Sequence, residues 1–125
     1  MAKRPIQTDQ SAPPGGPYSQ AIVAGNLVFL AGQTPHTPAG DKVEGSFEDE
    51  ARQVFDNLTA VADAAGGSLG QAVRVGVYLR DTADFATMNS IYEQYFDEPR
   101  PARTTIQTSL PGFAIEVDAI LVLDG

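Results

Sequence analysis

Arg103, at the end of Pro101-Ala102-Arg103, is the side chain whose type and setting most invite chemistry in this sequence. It opens the run Arg103-Thr104-Thr105-Ile106-Gln107-Thr108, which otherwise reads as a β-strand. An arginine at a strand start, beside short hydroxylated residues, suits a planar anion. Its fixed fork of donors meets a carboxylate bidentately, which a lysine cannot do. The same tripeptide is also what a solvated surface arginine looks like. Other chemistries are poorly supplied. The single histidine, His36, stands in Thr34-Pro35-His36-Thr37-Pro38 and would need carboxylates to hold zinc, so a solvated loop histidine is the plainer reading. Ser19 has no visible base and reads as a strand residue. Gly66-Gly67 closes a helix and no Walker lysine follows it, so no phosphate loop is expected. The absence of cysteine removes a thiolate nucleophile, a disulfide framework and cysteine-based metal sites. Acid–base chemistry by a carboxylate, an arginine clamp and ordered water remains.

The charge balance narrows the ligands. Eight basic residues face sixteen acidic ones, a net charge of −8, which argues against nucleic acid, because phosphate binding needs a basic footprint. It argues equally against an anionic membrane surface. An anion site must then be local and built around one of the few arginines. The 125 residues suit one domain. No apolar run reaches the eighteen or so residues of a membrane span, and no signal-peptide core is visible, so a soluble cytoplasmic setting is expected.

The elements that must position these groups can be read in order. Residues 1–17, rich in Pro and Gly, predict an irregular arm. Residues 19–24 and 27–31 are β-prone runs around Gly25-Asn26, a two-residue hairpin signal. Ser46 is a candidate N-cap, followed by Glu48, Asp49 and Glu50 in the first turn. Phe47, Ala51, Val54, Phe55, Leu58, Val61, Ala62 and Ala65 recur at helical steps, and Gly66-Gly67 stops them. Residues 72–80 predict a strand with Val73, Val75, Val77 and Leu79 on one face. Asp81 or Thr82 then caps a second helix, whose stripe is Phe85, Met88, Tyr92, Tyr95 and Phe96. Asn89 lies beside that stripe, either at its edge or as a buried amide fixing a loop. Pro99 and Pro101 end the helix.

The last run, 115–123, puts Ile115, Val117, Ala119, Leu121 and Leu123 on one face. Glu116, Asp118, Ile120 and Val122 take the other. Two helices cover one face of a sheet, so apolar residues on the second face predict cover from another copy of the chain. The order is β-β-α-β-α-β-β, an α+β sandwich with two helices on one face of a mixed sheet.

Taken together, several segments resemble the reactive-intermediate deaminase (Rid, YjgF-type) family. They are Gly16-Pro17-Tyr18-Ser19-Gln20-Ala21, Gly25-Asn26-Leu27-Val28, Ala31-Gly32-Gln33, Ala51-Arg52-Gln53 with Asn57-Leu58, and Ala64-Ala65-Gly66. Further on come Val77-Tyr78-Leu79-Arg80-Asp81, Asp84-Phe85 with Asn89, Tyr92 and Phe96, then Pro101-Ala102-Arg103, Leu110-Pro111 and Ile115-Glu116-Val117. The set is collinear with the family from about residue 16 onward. The resemblance implies a chorismate-mutase-like subunit and a homotrimer with sites in the clefts between subunits. It implies hydrolysis of reactive enamine and imine intermediates, such as 2-aminoacrylate or 2-iminobutyrate, to 2-keto acids and ammonia, without a cofactor or metal.

Carried over residue by residue, the resemblance gives Arg103 the substrate carboxylate and Glu116 the attacking water. A pKa raised by partial burial would suit Glu116 to that task. Tyr18 would wall the pocket and offer a hydroxyl, while Asn89, Thr105, Ala31 and Gly32 would line it. Glu116 acting only to orient Arg103 is the alternative role. Two positions depart from the pattern: Ala31 stands where many members have serine, and Thr105 where well-known deaminases often have cysteine. Those departures keep open a non-catalytic trimer that binds 2-keto acids or other small carboxylates. The family's older association with ribonuclease activity fits the −8 charge worst.

Overall fold

The computed structural model describes residues 2–124 and forms one six-stranded mixed sheet with its helices against one face. In chain order the strands are β1 (Lys3–Ile6), β2 (Ala21–Ala24), β3 (Leu27–Gln33), β4 (Ala72–Leu79), β5 (Ala102–Gln107) and β6 (Ile115–Val122). The α-helices are α1 (Phe47–Ala64) and α2 (Phe85–Tyr95). The sheet order is β1-β2-β3-β6-β4-β5. Only β4 and β5 run parallel, because α2 carries the chain back between them; every other pair is antiparallel.

The sequence explains most of these elements. Ser46 caps α1 through a capping box, its Oγ accepting from Asp49 N at 3.3 Å while Asp49 accepts from Ser46 N at 3.1 Å. The helix ends at Ala65, and Gly66 follows at a φ of +86° that a Cβ would resist. Asp81 caps a 3-10 turn, Thr82–Asp84, that leads into α2. Phe55 and Leu58 of α1, Met88 and Ile91 of α2, and Ile115, Val117, Ala119 and Leu121 of β6 share one buried core.

Two expectations change. The arm expected to be irregular over 1–17 contains β1, which pairs with β2 in the register Lys3↔Ala24 to Ile6↔Ala21. Its pattern is exposed at Lys3, Arg4 and Pro5, so no alternation announces it; the open edge of β2 makes it a strand. Lys, Arg and Pro are also residues that discourage further pairing at a sheet edge. The architecture is therefore β-β-β-α-β-α-β-β. Second, Val73 is 47 % exposed instead of sharing a face with Val75. The pairing of β4 with β6 shifts between Ala72 and Arg74, and this irregularity puts Ala72 inside in its place.

The arm is tied down beyond β1. The buried Gln20 side chain accepts from Thr8 N at 2.7 Å and donates to Thr8 O at 3.1 Å and Ala12 O at 2.9 Å. Asn57 donates from α1 to Thr34 O and His36 O. Buried Glu50 accepts from Ala114 N at 2.8 Å and pairs with Lys42 at 3.4 Å. These polar groups do their work on loops, where satisfied buried hydrogen bonds fix the path of the chain.

Candidate functional site

Paired residues on neighbouring strands share a face, so the register decides which functional side chains can meet. Val75 pairs with Arg103 and Val77 with Thr105, which turns Arg103 and Thr105 toward α2. The Arg103 guanidinium carbon lies 4.7 Å from the Tyr92 ring centroid and 5.8 Å from that of Phe85. One guanidinium nitrogen is 3.9 Å from Met88 Sδ. The cation is thus held by aromatic faces and a soft sulfur. Among the described residues the ion pairs are Lys42–Glu50, Arg52–Glu48, Arg74–Asp118 and Arg100–Glu98; Arg103 joins none of them.

The polar atoms nearby are equally unmatched. Asn89 Oδ1, Tyr92 Oη and Thr105 Oγ1 are buried without a hydrogen-bond partner. All three lie on the two elements that enclose Arg103: Asn89 and Tyr92 on α2, Thr105 on β5. A buried polar group left alone costs about 1–3 kcal/mol. The Tyr92 and Thr105 hydroxyls can donate to an anion held by Arg103, whereas Asn89 Oδ1, an acceptor, needs an N–H or O–H donor. Burial also raises the pKa of the Tyr92 phenol, which therefore stays a neutral donor. A cleft of about 390 Å³ continues from Thr105 past Leu79, Thr82 and Phe85 to the Ile106–Gln107 end of β5.

Glu116 belongs to a different place. Tyr78 pairs with Glu116 and also with Ile106, so these three share the sheet face away from the helices. Glu116 is half-buried, and its carboxyl pKa is raised, first by that burial and then by the charge of Asp118. Gly32 lies in the irregular stretch of β3 between Leu30 and Gln33. A Cβ on Gly32 would overlap the Glu116 carboxylate, so the bare backbone of Gly32 leaves room for that carboxylate in its present position. Ala31, next in line, donates its N–H to Gln20 O at 2.9 Å. On the same face Asp118 accepts from Tyr78 Oη at 3.0 Å and pairs with Arg74 at 3.6 Å.

Tyr18 stands in a third location, 51 % exposed, its Oη accepting from Gly15 N at 2.9 Å. It lines a cleft of about 410 Å³ with Pro13, Pro14, Gly15, Thr34, His36 and Gly40. His36 is a loop residue there: its Nδ1 is 2.8 Å from Thr34 Oγ1 and its ring stands edge-on to Phe113. One chain therefore brings Arg103, Asn89 and Thr105 together and sets Glu116 against Gly32. It sends the two groups to opposite faces of the sheet. Sequence reasoning missed Tyr92 as a site residue, reading it only as part of the apolar stripe. A phenol within the helical stripe, three residues after Asn89 and so on its side of the helix, was the available signal, though Tyr95 carries a phenol too.

A family model described as endoribonuclease L-PSP matches residues 9–123, nearly the whole chain. This chain belongs to that family, the YjgF/RutC/Rid group. Among its curated relatives, a RutC family protein of Pyrococcus horikoshii is 48 % identical over 121 residues, 94 % of this chain and 96 % of its own. The 2-iminobutanoate/2-iminopropanoate deaminase of Dermatophagoides farinae is 38 % identical over 125 residues, 98 % of each. Among solved structures, E. coli TdcF with bound serine superposes at a TM-score of 0.90 with 35 % identity, covering 97 % of this chain and 99 % of that one. The Rid family match begins after β1, so that edge strand lies outside the span that defines membership.

Proposed function

We propose that this protein hydrolyses 2-imino acids to 2-keto acids and ammonia, in sites formed between the subunits of a homotrimer. The observation that carries the reading is the unpaired Arg103 among three buried, unpartnered polar atoms. The cation and the two hydroxyls suit a small carboxylate, and Asn89 Oδ1 suits an N–H donor beside it. The mite relative named as an imine deaminase and the E. coli relative with bound serine support the same class of ligand. A carboxylate on Arg103 would place the adjacent C=N carbon for attack and turn a loose encounter into a positioned one.

Glu116 is the complementary group. A carboxyl whose pKa is raised by burial takes up and returns a proton near neutral pH more readily than an ordinary one. In the reaction, water adds its oxygen to the iminium carbon as the C=N π bond shifts to nitrogen, giving a carbinolamine. Glu116 carries the proton of that water to the nitrogen. The carbinolamine hydroxyl then gives its remaining proton to Glu116 as the C–N bond breaks. The protonated amine leaves as ammonia with that bond's electron pair, and the carbinolamine oxygen becomes the keto oxygen. Tyr18 would supply a hydroxyl at the rim.

Because Arg103 and Glu116 leave opposite faces of one sheet, the reading needs a second copy of the chain. The open face offers it an apolar surface, with Phe29 43 % and Ile106 47 % exposed beside half-buried Ile120 and Val122. Burying such residues between copies is the ordinary driving force of assembly. A non-catalytic carboxylate binder is the second reading, favoured by Ala31, which offers no hydroxyl beside Gly32.

The test generates 2-aminoacrylate and 2-iminobutyrate in situ with a serine/threonine dehydratase and traps the imine with semicarbazide. Faster keto-acid formation with the wild type but not with Arg103→Ala supports deamination. No acceleration by a folded, trimeric sample, with keto acids still bound, moves the assignment to the binder.

A further inference from the structure

We infer that the preferred substrates of this site carry an apolar side chain of three or more carbons, and that the cleft between β5 and the start of α2 receives it. The inference rests on Arg103 holding the carboxylate. From that anchor β5 leads upward: Thr105 lies on the same face one strand repeat on, ~6.7 Å beyond Arg103. At Thr105 the cleft opens, about 390 Å³ in volume, with Leu79 at its base and Thr82 and Phe85 along its side. Phe85 connects the two places, since its ring is 5.8 Å from the Arg103 guanidinium and it also walls the cleft.

The chemistry of the walls selects the ligand. Leu79 is buried and Phe85 is 44 % exposed, an uncommon exposure for a large aromatic side chain that has a function only in the core. The lining residues carry no charge: Leu79, Thr82, Phe85, Thr105, Ile106 and Gln107. A second carboxylate or an ammonium on the substrate side chain would lose its hydration there without a counter-charge. A methyl group would leave most of the volume unused. A propyl, isobutyl or benzyl group covers the exposed Phe85 ring and gains free energy from each methylene buried against it. The class is thus the 2-imino acids made by two-electron oxidation of larger apolar amino acids, in preference to those derived from serine or threonine.

The experiment uses the intact protein and two parallel series. An L-amino acid oxidase with catalase generates imines from alanine, 2-aminobutyrate, norvaline, leucine and phenylalanine, and semicarbazide trapping gives kcat/KM for each. Calorimetry gives Kd for pyruvate, 2-oxobutanoate, 2-oxopentanoate and 2-oxohexanoate. The expected result is a gain of about two- to fourfold per added methylene in both series, with glutamate-derived imine or 2-oxoglutarate below its apolar neighbour. Phe85→Ala and Thr82→Glu, both at exposed positions, should each flatten the ratio of longest to shortest substrate. A flat or falling ratio in the wild type, or no binding by any keto acid, overturns the inference. Turnover without a length dependence leaves deamination standing and removes this preference. Tighter binding with length, but no turnover, keeps the preference and removes deamination.

Discussion

The surroundings of Arg103 and of Glu116, the two halves of the proposed site, pose opposite electrostatic problems on the two faces of one sheet. Arg103 is a cation without a carboxylate, lying against Tyr92 and Phe85 and surrounded by unpartnered acceptors and hydroxyls. Glu116 is a carboxylate without a cation, pressed against Gly32 and near the like charge of Asp118. Each half is poorly satisfied alone, and each lacks the kind of group the other has. Pairing them inside one subunit would give a salt bridge and quench both. Keeping them on opposite faces leaves the cation free to bind an anion and the carboxyl free to hold a proton.

Removing the cation should have the largest effect. Arg103→Ala deletes a bidentate, charge-assisted contact of two hydrogen bonds, each worth about 1.5–3 kcal/mol. Turnover of imines should fall by roughly a thousandfold. Arg103→Lys should recover little, because a point charge cannot replace the fork. Melting temperatures should fall by only a few degrees, since Arg103 loses its contacts with Tyr92 and Phe85 but has no ion pair to lose. Wild-type rates in both variants would sink the anion-clamp role.

On the other face, Glu116→Gln should lower kcat by roughly a hundredfold, the scale of a lost general acid–base group. KM should change much less, because the carboxylate anchor remains on Arg103. Gly32→Ala probes the same group without altering it. A Cβ there forces the Glu116 carboxylate out of its place, so kcat should drop toward the Glu116→Gln level. An unchanged kcat in Gly32→Ala, with Glu116→Gln inactive, would show that the position of that carboxylate against β3 is irrelevant.

The two losses can then be set against each other. If a site takes Arg103 from one subunit and Glu116 from its neighbour, co-refolded Arg103→Ala and Glu116→Gln chains will regain some intact sites. Random one-to-one assembly gives about a quarter of the sites both native groups, and so about a quarter of wild-type activity. Recovery absent from a mixture shown by mass spectrometry to contain hybrid oligomers would break the shared-site comparison.

Much of this division could be read before the structure, though unevenly. The strict alternation of Ile115, Val117, Ala119 and Leu121 already assigned Glu116 to the face away from the helices. Ser46 and the helical stripe after it fixed α1 equally well. Arg103 was different, because Arg-Thr-Thr-Ile-Gln-Thr offers no apolar alternation from which to tell a face. Its direction comes from the parallel register with β4, which depends on how α2 carries the chain back. The β1 strand was invisible for a related reason: its backbone pairs, but only Ile6 of its side chains is buried. Val73 was misplaced because an irregularity in β-pairing reverses the period-two rule locally and leaves no mark in composition. Orphaned hydroxyls such as Tyr92 Oη are a property of neighbours, not of the residue type.

The smallest expected effect concerns how Glu116 is tuned. Asp118 raises the Glu116 pKa, second to burial, while its own carboxylate is held by Tyr78 Oη and Arg74. Asp118→Asn removes the repelling charge and releases Arg74 on the same face. Both changes favour ionised Glu116 and lower its pKa. If activity needs Glu116 ionised, the acidic limb of kcat against pH should move to lower pH in this variant, and Glu116→Gln should lose that limb altogether. The stability sign follows from the same shift. With its pKa raised in the folded state, Glu116 binds more protons there than in the unfolded chain. Its contribution is therefore fully present below the ordinary carboxylate pKa and is lost as pH rises through the folded value. Asp118→Asn narrows that window, so the pH-dependence of the melting temperature between the ordinary and the raised pKa should be shallower than in the wild type. A limb that stays in place in Asp118→Asn, in a folded protein, would mean that burial alone sets the Glu116 proton affinity and that the open face tunes only assembly.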